Sequence, residues 1–364
     1  MLKSSCLILG SATVDTIAYL TQEPETIADT FESYIRLKKG AKLEVQTLIQ
    51  SIGGGALNSA LCLSMLGHTS KIYCAIGNDD AGKKIKSFTQ EKNLIFHPII
   101  VALPTGSSFV VPLHNDRIIF SHHGANTQLP KQQFNETYYH GTTALYVAPL
   151  HGESLSNAHS LIQKARTFYE ENTIAIAINP SIEQIQQTTH FKALLPFIDV
   201  IIMNADELRI CASTLNSRFF TSTGEGIIKD GPPLARTLLS SQKITFTLRE
   251  ICKELFSYGI KRIVITDGAQ GAYVITKDTL YFHQSLPITV GTALGAGDAF
   301  GATFFSLILH GFTIENALRG ASINAASLIH HITPHQGLLS LKEIEKKIKI
   351  IDPTFLKTYP FCSR

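Results

Sequence analysis

The sequence predicts an α/β fold in which a mostly parallel central sheet is flanked by helices and carries a small β lid. Three observations predict it. Apolar runs of strand length recur along the 364 residues, and segments of helical length and spacing lie between many of them. Two stretches, at about 13–51 and 105–124, break this alternation and look rich in β-structure. We expect them to form the lid, outside the main sheet and close to its ligand-binding end.

The main sheet is predicted from apolar runs without polar alternation, which are typical of central strands covered on both faces. The predicted strands are Cys6–Leu9, Lys71–Ile76, Ala144–Ala148, Ile174–Ile178, Val200–Met203, Ile263–Thr266 and Ala272–Ile275. The predicted helices are Asn58–Leu66, Ala81–Lys92, Ser154–Glu171, Thr247–Tyr258, Ala299–Leu309 and Thr313–His330. Because parallel strands end at one edge of the sheet, ligands are expected beyond their carboxyl ends.

The second lid segment reads as a hairpin that turns at residues 114–116. Pro112 indicates an edge strand, because proline cannot donate a hydrogen bond to a neighbouring strand. A surface hairpin with no role in binding is the alternative. Further along, residues 211–243 are polar and contain several glycines and prolines, which predicts a long loop or an insertion.

The composition is that of a soluble globular protein, with 44% hydrophobic and 17% charged residues. The formal net charge is +3 and the basic residues are scattered, so no nucleic-acid partner is expected. The short amino-terminal apolar run is interrupted by Asp15 and is interpreted as a strand, and no window approaches the roughly 20 apolar residues that span a bilayer. The six cysteines lack CxxC spacing, which favours reduced thiols and a cytoplasmic location.

The most informative stretch is residues 291–305, GTALGAGDAFGATFF, which passes from a glycine turn into a long apolar helix. At Gly295, Ala296 and Gly297 the amide groups are accessible, and a helix that starts there presents unpaired N–H groups and the positive end of its dipole. This turn is a candidate anion hole for a phosphate. Asp298 follows at once and is a candidate base for a hydroxyl attacking that phosphate. An ordinary helix start with an acidic first turn is the alternative.

Three further motifs suit ligand binding. The glycines at 53–55 immediately precede a helix beginning near Asn58, where bare backbone and an amide side chain can grip a small polyhydroxy compound. Asn204 and Glu207 follow a strand and share one helix face, which suits oxygen ligands near Mg²⁺. The amides around Gly268 could meet nucleotide phosphates. The ordinary alternatives are a glycine-rich turn, a solvated helix cap and a simple hairpin, respectively.

A P-loop is rejected. Residues 77–84 read GNDDAGKK, which agrees with the P-loop pattern GxxxxGK[ST] at every position but the last. Lys84 would replace the hydroxyl that holds Mg²⁺, and Asp79 and Asp80 would set negative charge against the phosphates.

In this order, the motifs resemble those of the ribokinase or PfkB family of carbohydrate and nucleoside kinases. GAGDAF is similar to the family's second signature, GGGALN to its first, IGNDDAG to its VGxDxxG turn, SHHGAN to the end of its lid hairpin and MNADE to its NxxE. The resemblance covers nearly the whole chain, and joint agreement is far more specific than any single motif. It implies one ribokinase-like kinase domain over residues 1–364, with the lid at about 13–51 and 105–124.

The resemblance implies an ATP-dependent phosphotransferase acting on a hydroxyl of a small sugar or sugar derivative, with ATP and Mg²⁺ as cofactors. It implies Asp298 as the base and the Gly295, Ala296 and Gly297 amides as the anion hole. The residues implied to contact ligands are Asp15, Gly54, Gly55 and Asn58 for the substrate, Asn204, Gly268 and Gly271 for the nucleotide, and Asn204 and Glu207 for the metal ion.

Two departures from the family pattern qualify these expectations. Thr292 stands where the family usually has the first aspartate of DTxGAGD, which helps to hold a monovalent cation in many relatives, so a K⁺ requirement is placed in doubt. Thr13 replaces an asparagine common in ribose kinases, which weakens ribose as the substrate.

Two other functions stay open. A nucleoside kinase would need an apolar wall for the base, which Phe109, Phe120 or Tyr34 could supply. A ligand-sensing relative without turnover is the less favoured alternative. Because lid strands in this family often pair between subunits, the resemblance also implies a homodimer through the lid.

Overall fold

The computed structural model describes residues 4–28, 33–113, 117–130, 138–168, 174–215, 222, 224–241, 244–287 and 294–361. Within these ranges the strands are β1 Ser5–Leu9, β2 Thr13–Leu20, β3 Glu25–Ala28, β4 Ser33–Arg36, β5 Val45–Gly53, β6 Thr69–Tyr73, β7 Ala75–Gly77, β8 Ile95–Phe96, β9 Ile99–Val101, β10 Gly106–Pro112, β11 Arg117–His122, β12 Ala144–Val147, β13 Ala175–Ile178, β14 Val200–Asn204, β15 Leu239–Ser241, β16 Ile244–Phe246, β17 Arg262–Thr266, β18 Ala272–Ile275, β19 Thr279–His283 and β20 Leu356–Pro360.

The α-helices in the same ranges are α1 Gly55–Met65, α2 Asp80–Glu91, α3 Glu153–Phe168, α4 Ile182–Gln186, α5 Thr188–Leu194, α6 Ala205–Leu215, α7 Pro233–Arg236, α8 Leu248–Ser257, α9 Ala296–Leu309, α10 Ile314–Ile329 and α11 Leu341–Ile350. The main sheet has the order β20-β19-β18-β17-β14-β13-β12-β1-β6-β8. Neighbours from β8 to β17 are parallel, whereas β18, β19 and β20 add antiparallel pairs at one edge. The predicted α/β fold with a mostly parallel sheet flanked by helices is confirmed.

The main sheet is buried on both faces. Along β1, Leu7 and Leu9 pack into one hydrophobic cluster, while Cys6 and Ile8 pack into another. All four side chains are fully buried, as the absence of polar alternation predicted. Helices α3, α6 and α8 contribute to the first cluster, and helices α1, α9 and α10 to the second.

The order in which strands are added to the main sheet reverses at β1, although the strands on both sides of it are parallel to it. Strand β1 pairs with β6 on one side and with the later strand β12 on the other. Such a switch point leaves a crevice beyond the carboxyl ends of the two strands, where ligands bind in open α/β sheets. The segments that follow β1 and β12 therefore flank the expected site.

The segments predicted to form the lid contain a separate four-stranded sheet with the order β11-β10-β2-β5, which we call the lid sheet. The expectation that Pro112 marks an edge strand is wrong, because β10 pairs with both β2 and β11. Proline is tolerated there because the pairing of β10 with β2 ends at Val110, two residues earlier. The predicted hairpin turn at residues 114–116 lies outside the described residues.

Both ends of the lid hairpin are tied to the main body by hydrogen bonds of polar side chains. Asn126, just beyond β11, donates to the Ala12 carbonyl and accepts from the Ala12 amide, each at 2.9 Å. At the other end, Asp79 accepts from the Thr105 amide at 2.8 Å and from the Thr105 hydroxyl at 2.6 Å. These bonds fix where the lid starts and ends.

Several elements differ from the predictions. The run Lys71–Ile76 is split into β6 and β7. The supposed loop at 211–243 contains the end of α6, helix α7 and strand β15, while 216–221, 223 and 242–243 lie outside the described residues. Helix α11 and strands β19 and β20 were not predicted. Among the described residues, no helix combines the length and the apolar character needed to cross a membrane.

Candidate active site

The glycine turn before α9 starts the helix from a left-handed N-cap residue. Gly295 is the N-cap, with φ of 74°, and its carbonyl accepts the first intrahelical bond from the Ala299 amide at 2.9 Å. The amides of the residues between them have no acceptor within the helix and lie at the positive end of its dipole. A Cβ on Gly295 would lie 2.6 Å from the Cβ of Pro334, so glycine is required by space as well as by φ.

Asp298 lies in the first turn of α9 and is held by Asn58 from α1. The Asn58 side-chain amide donates to Asp298 Oδ2 at 2.8 Å. Burial raises the pKa of Asp298 to about 6, while the Asn58 bond and the positive charge of Arg117 lower it and the negative charge of Asp15 raises it. A carboxylate with this pKa is mostly ionised at neutral pH and is more basic than an ordinary aspartate.

The activity should therefore decrease at acidic pH. If Asp298 has to be ionised to accept a proton, kcat/KM should drop about tenfold per pH unit below its pKa of about 6 and level off above it. A profile of kcat/KM against pH checks this. An acid limb centred near 4, the ordinary range for aspartate, would show that burial does not tune this group.

His335 supports Asn58 from the opposite side. Its Nε2 lies 3.1 Å from Asn58 Oδ1, and its ring contacts the Phe88 ring with centroids 4.9 Å apart. Because an ionised Asp298 only accepts, Asn58 must direct its NH₂ group to Asp298 and its oxygen to His335, so Nε2 of His335 carries a proton. Burial lowers the pKa of His335 to about 4, with a further contribution from the charge of Lys92, so the ring is neutral near pH 7.

Removing His335 should release Asn58 and disturb the base. We expect His335→Ala to lower kcat by about tenfold, and to move the acid limb of the pH profile upward because the bond that lowers the Asp298 pKa is weakened. His335→Gln, which can donate from its side-chain amide, should restore most of the loss. His330→Ala, at an exposed position in the same region, is the control. An unchanged acid limb in His335→Ala would exclude this positioning role.

Asp15 lies on the lid face that points toward the catalytic turn, and its charge acts on Asp298. It is buried, and its Oδ1 accepts from the Ser108 hydroxyl at 2.7 Å. Since neighbours along a strand point to opposite faces, Phe109 and its cross-strand partner Phe120 lie on the other face of the lid. These two aromatic rings therefore face away from Asp15. Of the three residues that could supply an apolar wall for a nucleoside base, only Tyr34 is not excluded by this orientation.

Gly54 and Gly55 bring the start of α1 against neighbouring backbone. Gly54 has φ of 96°, and a Cβ there would lie 2.5 Å from the Ser11 carbonyl oxygen. A Cβ on Gly55 would lie 2.8 Å from Pro149 Cδ. The two glycines let α1 approach the segments after β1 and β12, which places Asn58 beside Asp298.

Asn204 and Glu207 form a reciprocal cap at the start of α6. The Asn204 amide donates to Glu207 Oε2 at 2.7 Å, and the Glu207 amide donates to Asn204 Oδ1 at 2.8 Å. Burial raises the pKa of Glu207 to about 7; the bond from the Asn204 amide lowers it, and the charges of Asp298 and Asp206 raise it. Burial and two nearby negative charges thus destabilise the ionised form of Glu207, and a bound cation would stabilise it. The pair therefore fits the implied Mg²⁺ site.

Strands β17 and β18 form an antiparallel hairpin, which was the ordinary alternative to a nucleotide contact at this turn. Gly268 has φ of 51°, and a Cβ there would meet no atom within 4 Å, so this backbone is open to a ligand. Gly271, with φ of 116°, packs instead against the His283 carbonyl on β19. Of the two glycines implied to contact the nucleotide, Gly268 is accessible and Gly271 is explained by packing.

The structure thus brings Asp15, Asn58 and Asp298 together and places Glu207 within electrostatic reach of Asp298. Thr292 lies outside the described residues. Sequence reasoning missed His335 and Arg117. Neither lies in a motif, and their proximity to the base arises from contacts between segments far apart in the chain.

A parallel sheet with a β lid, and a carboxylate at a glycine-started helix beyond its carboxyl edge, define a kinase of small molecules with the ribokinase-like fold. A model of the pfkB family of carbohydrate kinases matches residues 25–334. The chain belongs to this family and is an ATP-dependent phosphotransferase with an alcohol group as acceptor.

Curated relatives of similar length are sugar kinases. The chain is 22% identical over 315 residues to a 5-dehydro-2-deoxygluconokinase of Clostridium botulinum, covering 84% of this chain and 86% of the relative. It is 20% identical over 313 residues to a 2-dehydro-3-deoxygluconokinase of Thermoproteus tenax, covering 82% and 86%.

Solved structures share the fold. Ribokinase from Thermotoga maritima superposes with a TM-score of 0.71 at 15% identity, covering 95% of this chain and 99% of that one. A Burkholderia thailandensis nucleoside kinase in complex with inosine gives 0.69 at 18% identity, covering 95% and 98%. An E. coli putative ribokinase II in complex with ATP and Mg²⁺ gives 0.69 at 19% identity, covering 95% and 99%.

Proposed function

We propose that this protein transfers the γ-phosphoryl group of ATP to a hydroxyl of a small sugar or sugar derivative, with Asp298 as the base. The observation that carries the proposal is the position of Asp298 in the first turn of α9, where the Asn58 bond fixes a carboxylate beside a row of helix N-terminal amides. The neighbour in complex with ATP and Mg²⁺ supports the choice of cofactors.

The residues then have distinct tasks. Asp298 accepts the proton of the attacking hydroxyl, and the amides of Gly295, Ala296 and Gly297 stabilise negative charge on the transferred group. Asn204 and Glu207 would hold Mg²⁺, and the open backbone at Gly268 would contact the nucleotide. Bound Mg·ATP supplies the phosphoryl group, with the ion neutralising charge on its phosphate oxygens.

The lid closes the substrate side. Asp15, Gly54, Gly55 and Asn58 surround the space where the acceptor hydroxyl is bound, and the lid sheet above Asp15 excludes water during transfer. The bonds of Asn126 and Asp79 at the two ends of the lid hairpin hold this cover in place.

We propose a sugar acid as the first substrate to test. The two curated relatives described above are named for dehydro-deoxygluconates. Arg117, on lid strand β11, is close enough to the catalytic turn for its charge to act on Asp298, so a carboxylate on the substrate would find positive charge there. A nucleoside is the second candidate, supported by the fold neighbour in complex with inosine.

The test is ADP release with Mg·ATP across free sugars, sugar acids, sugar phosphates and nucleosides, with Asp298→Asn as the blank. One compound that gives turnover with the wild type and not with the variant would identify the substrate class. ATP binding without turnover on any compound would favour the ligand-sensing alternative. Parallel assays in Na⁺ and K⁺ would decide the cation requirement that Thr292 places in doubt.

We also propose a homodimer through the lid. Phe109 and Phe120 are 40% and 60% exposed on the lid face away from Asp15. Paired exposed aromatic residues on a sheet face suit contact with a second lid. Light scattering of the wild type and of Phe109→Ser with Phe120→Ser should give a dimer and a monomer, respectively.

A further inference from the structure

Two histidines and a glutamate that have no role assigned around Asp298 meet at one point. His123 directly follows lid strand β11, His151 lies beyond the end of β12, and Glu183 is in the short helix α4 that follows β13. One ligand atom from each lies within 4.8 Å of the other two. Three segments of the chain, one of them leaving the lid, therefore bring metal-ligating side chains to one point.

Hydrogen bonds hold two of the three side chains in place. Nδ1 of His151 lies 3.0 Å from Glu183 Oε2, and the Gly152 amide donates to Glu183 Oε1 at 3.0 Å. The Ser181 hydroxyl, at the cap of α4, donates to the Leu150 carbonyl at 3.0 Å. The Gly152 amide is thus an outer contact that orients the Glu183 carboxylate, and the bond between His151 and Glu183 keeps the two side chains side by side.

The His123 ring is the member without such support. It stacks on the His151 ring with centroids 3.7 Å apart and 16° between the planes. In the described part of the chain its ring nitrogens have no hydrogen-bond partner, although the side chain is partly buried. The cluster therefore contains an imidazole that has nitrogen atoms available to a ligand, next to a second imidazole that is paired with a carboxylate.

We propose that His123, His151 and Glu183 bind one divalent transition-metal ion of the Zn²⁺ class. Two imidazoles and one carboxylate are a donor set that Zn²⁺ accepts, with the remaining position open to water. None of the three residues belongs to the Mg²⁺ site proposed at Asn204 and Glu207. The ion would join the end of the lid hairpin to the carboxyl edge of the main sheet.

The geometry requires a small rearrangement. Ligand atoms in a tetrahedral site with bonds of about 2.0–2.1 Å lie about 3.4 Å apart. A metal binds in the plane of an imidazole ring, so one ring must rotate out of the stack. His123 can do this because no hydrogen bond from the described residues restrains its ring. The proton between His151 Nδ1 and Glu183 Oε2 is released to solvent when the ion takes its place.

The protonation states suit binding near neutral pH. Burial and the neighbouring His151 lower the pKa of His123, so its ring is neutral. Burial alone would raise the pKa of Glu183, but the bonds from the Gly152 amide and from His151 outweigh it and the pKa is lowered. Neutral imidazole and ionised carboxylate are the forms that bind metal.

Zn²⁺ binding to the chelator-treated full-length protein tests the proposal. We expect one equivalent to bind in a titration against a chromophoric chelator, and the melting temperature to rise with Zn²⁺ concentration by mass action. His123→Gln, which leaves the bonds of Glu183 intact, should weaken binding by at least about tenfold and remove the thermal shift. His190→Gln, at an exposed position on α5, is the matched control and should bind like the wild type.

A second measurement reports the ligands directly. Co²⁺ in place of Zn²⁺ should give the visible absorption of a low-coordinate site in the wild type and in His190→Gln, and lose it in His123→Gln and Glu183→Gln. The circular dichroism of the metal-free variants shows whether they are folded. Equal Zn²⁺ affinity of the wild type and His123→Gln would overturn the site and leave a hydrogen-bonded histidine stack.

Discussion

Replacing Asp298 with asparagine is expected to lower turnover by about 10²–10⁴-fold, the usual contribution of a positioned base. Asparagine keeps the size of the side chain at the start of α9 but cannot accept the substrate proton. ATP affinity should change little, because the helix amides and the residues proposed to bind the nucleotide are untouched. Turnover and ATP binding measured on the same preparations check both statements, and retention of more than about a tenth of wild-type turnover would reject Asp298 as the base.

The variant should remain folded, so its loss of activity can be assigned to chemistry. The pKa of Asp298 is raised in the folded protein, so this group stabilises the fold at low pH, and that contribution is lost as pH rises through about 6. A neutral asparagine does not carry the cost of the ionised group. The melting temperature of Asp298→Asn at pH 8 should therefore not lie below that of the wild type, and a large decrease would point to unfolding instead.

Gly295→Ala is expected to lower turnover by about 10²-fold, because it displaces the amides of the anion hole. Alanine at φ of 74° is strained, and its Cβ would lie 2.6 Å from Pro334 Cβ, so either the turn or Pro334 must move. A shift of Pro334 would also move His335, the next residue, and with it Asn58. Both routes disturb the geometry around Asp298.

Gly311→Ala separates this effect from simple backbone strain. Gly311 follows the same helix and has φ of 82°, but a Cβ there meets no atom within 4 Å. This variant should lose about 1 kcal/mol of stability and keep its turnover. If the two variants lost the same fraction of turnover, the contact between Gly295 and Pro334 would have no part in catalysis.

The main sheet could be predicted because burial on both faces leaves a local signature. The run Cys6–Leu9 is apolar at every position, and this is what the two clusters on either side of β1 require. The glycine turn before Asp298 was equally visible, since its accessible backbone depends on residue types that are adjacent in the chain. Helix α11 was missed, and Pro112 was placed wrongly because strand order in the lid depends on a partner about ninety residues away.

The sequence by itself therefore determined the fold and the position of the candidate base, because each follows from patterns within a few residues of one another. It also determined the family, because several such local motifs follow one another along the chain. Only the tertiary structure decided how that base is held. Asn58 and His335 are 277 positions apart, and their hydrogen bond, the raised pKa of Asp298 and the meeting of His123 with His151 and Glu183 arise when distant segments pack together. Burial and distance between side chains are properties of the packed chain, and no local pattern encodes them.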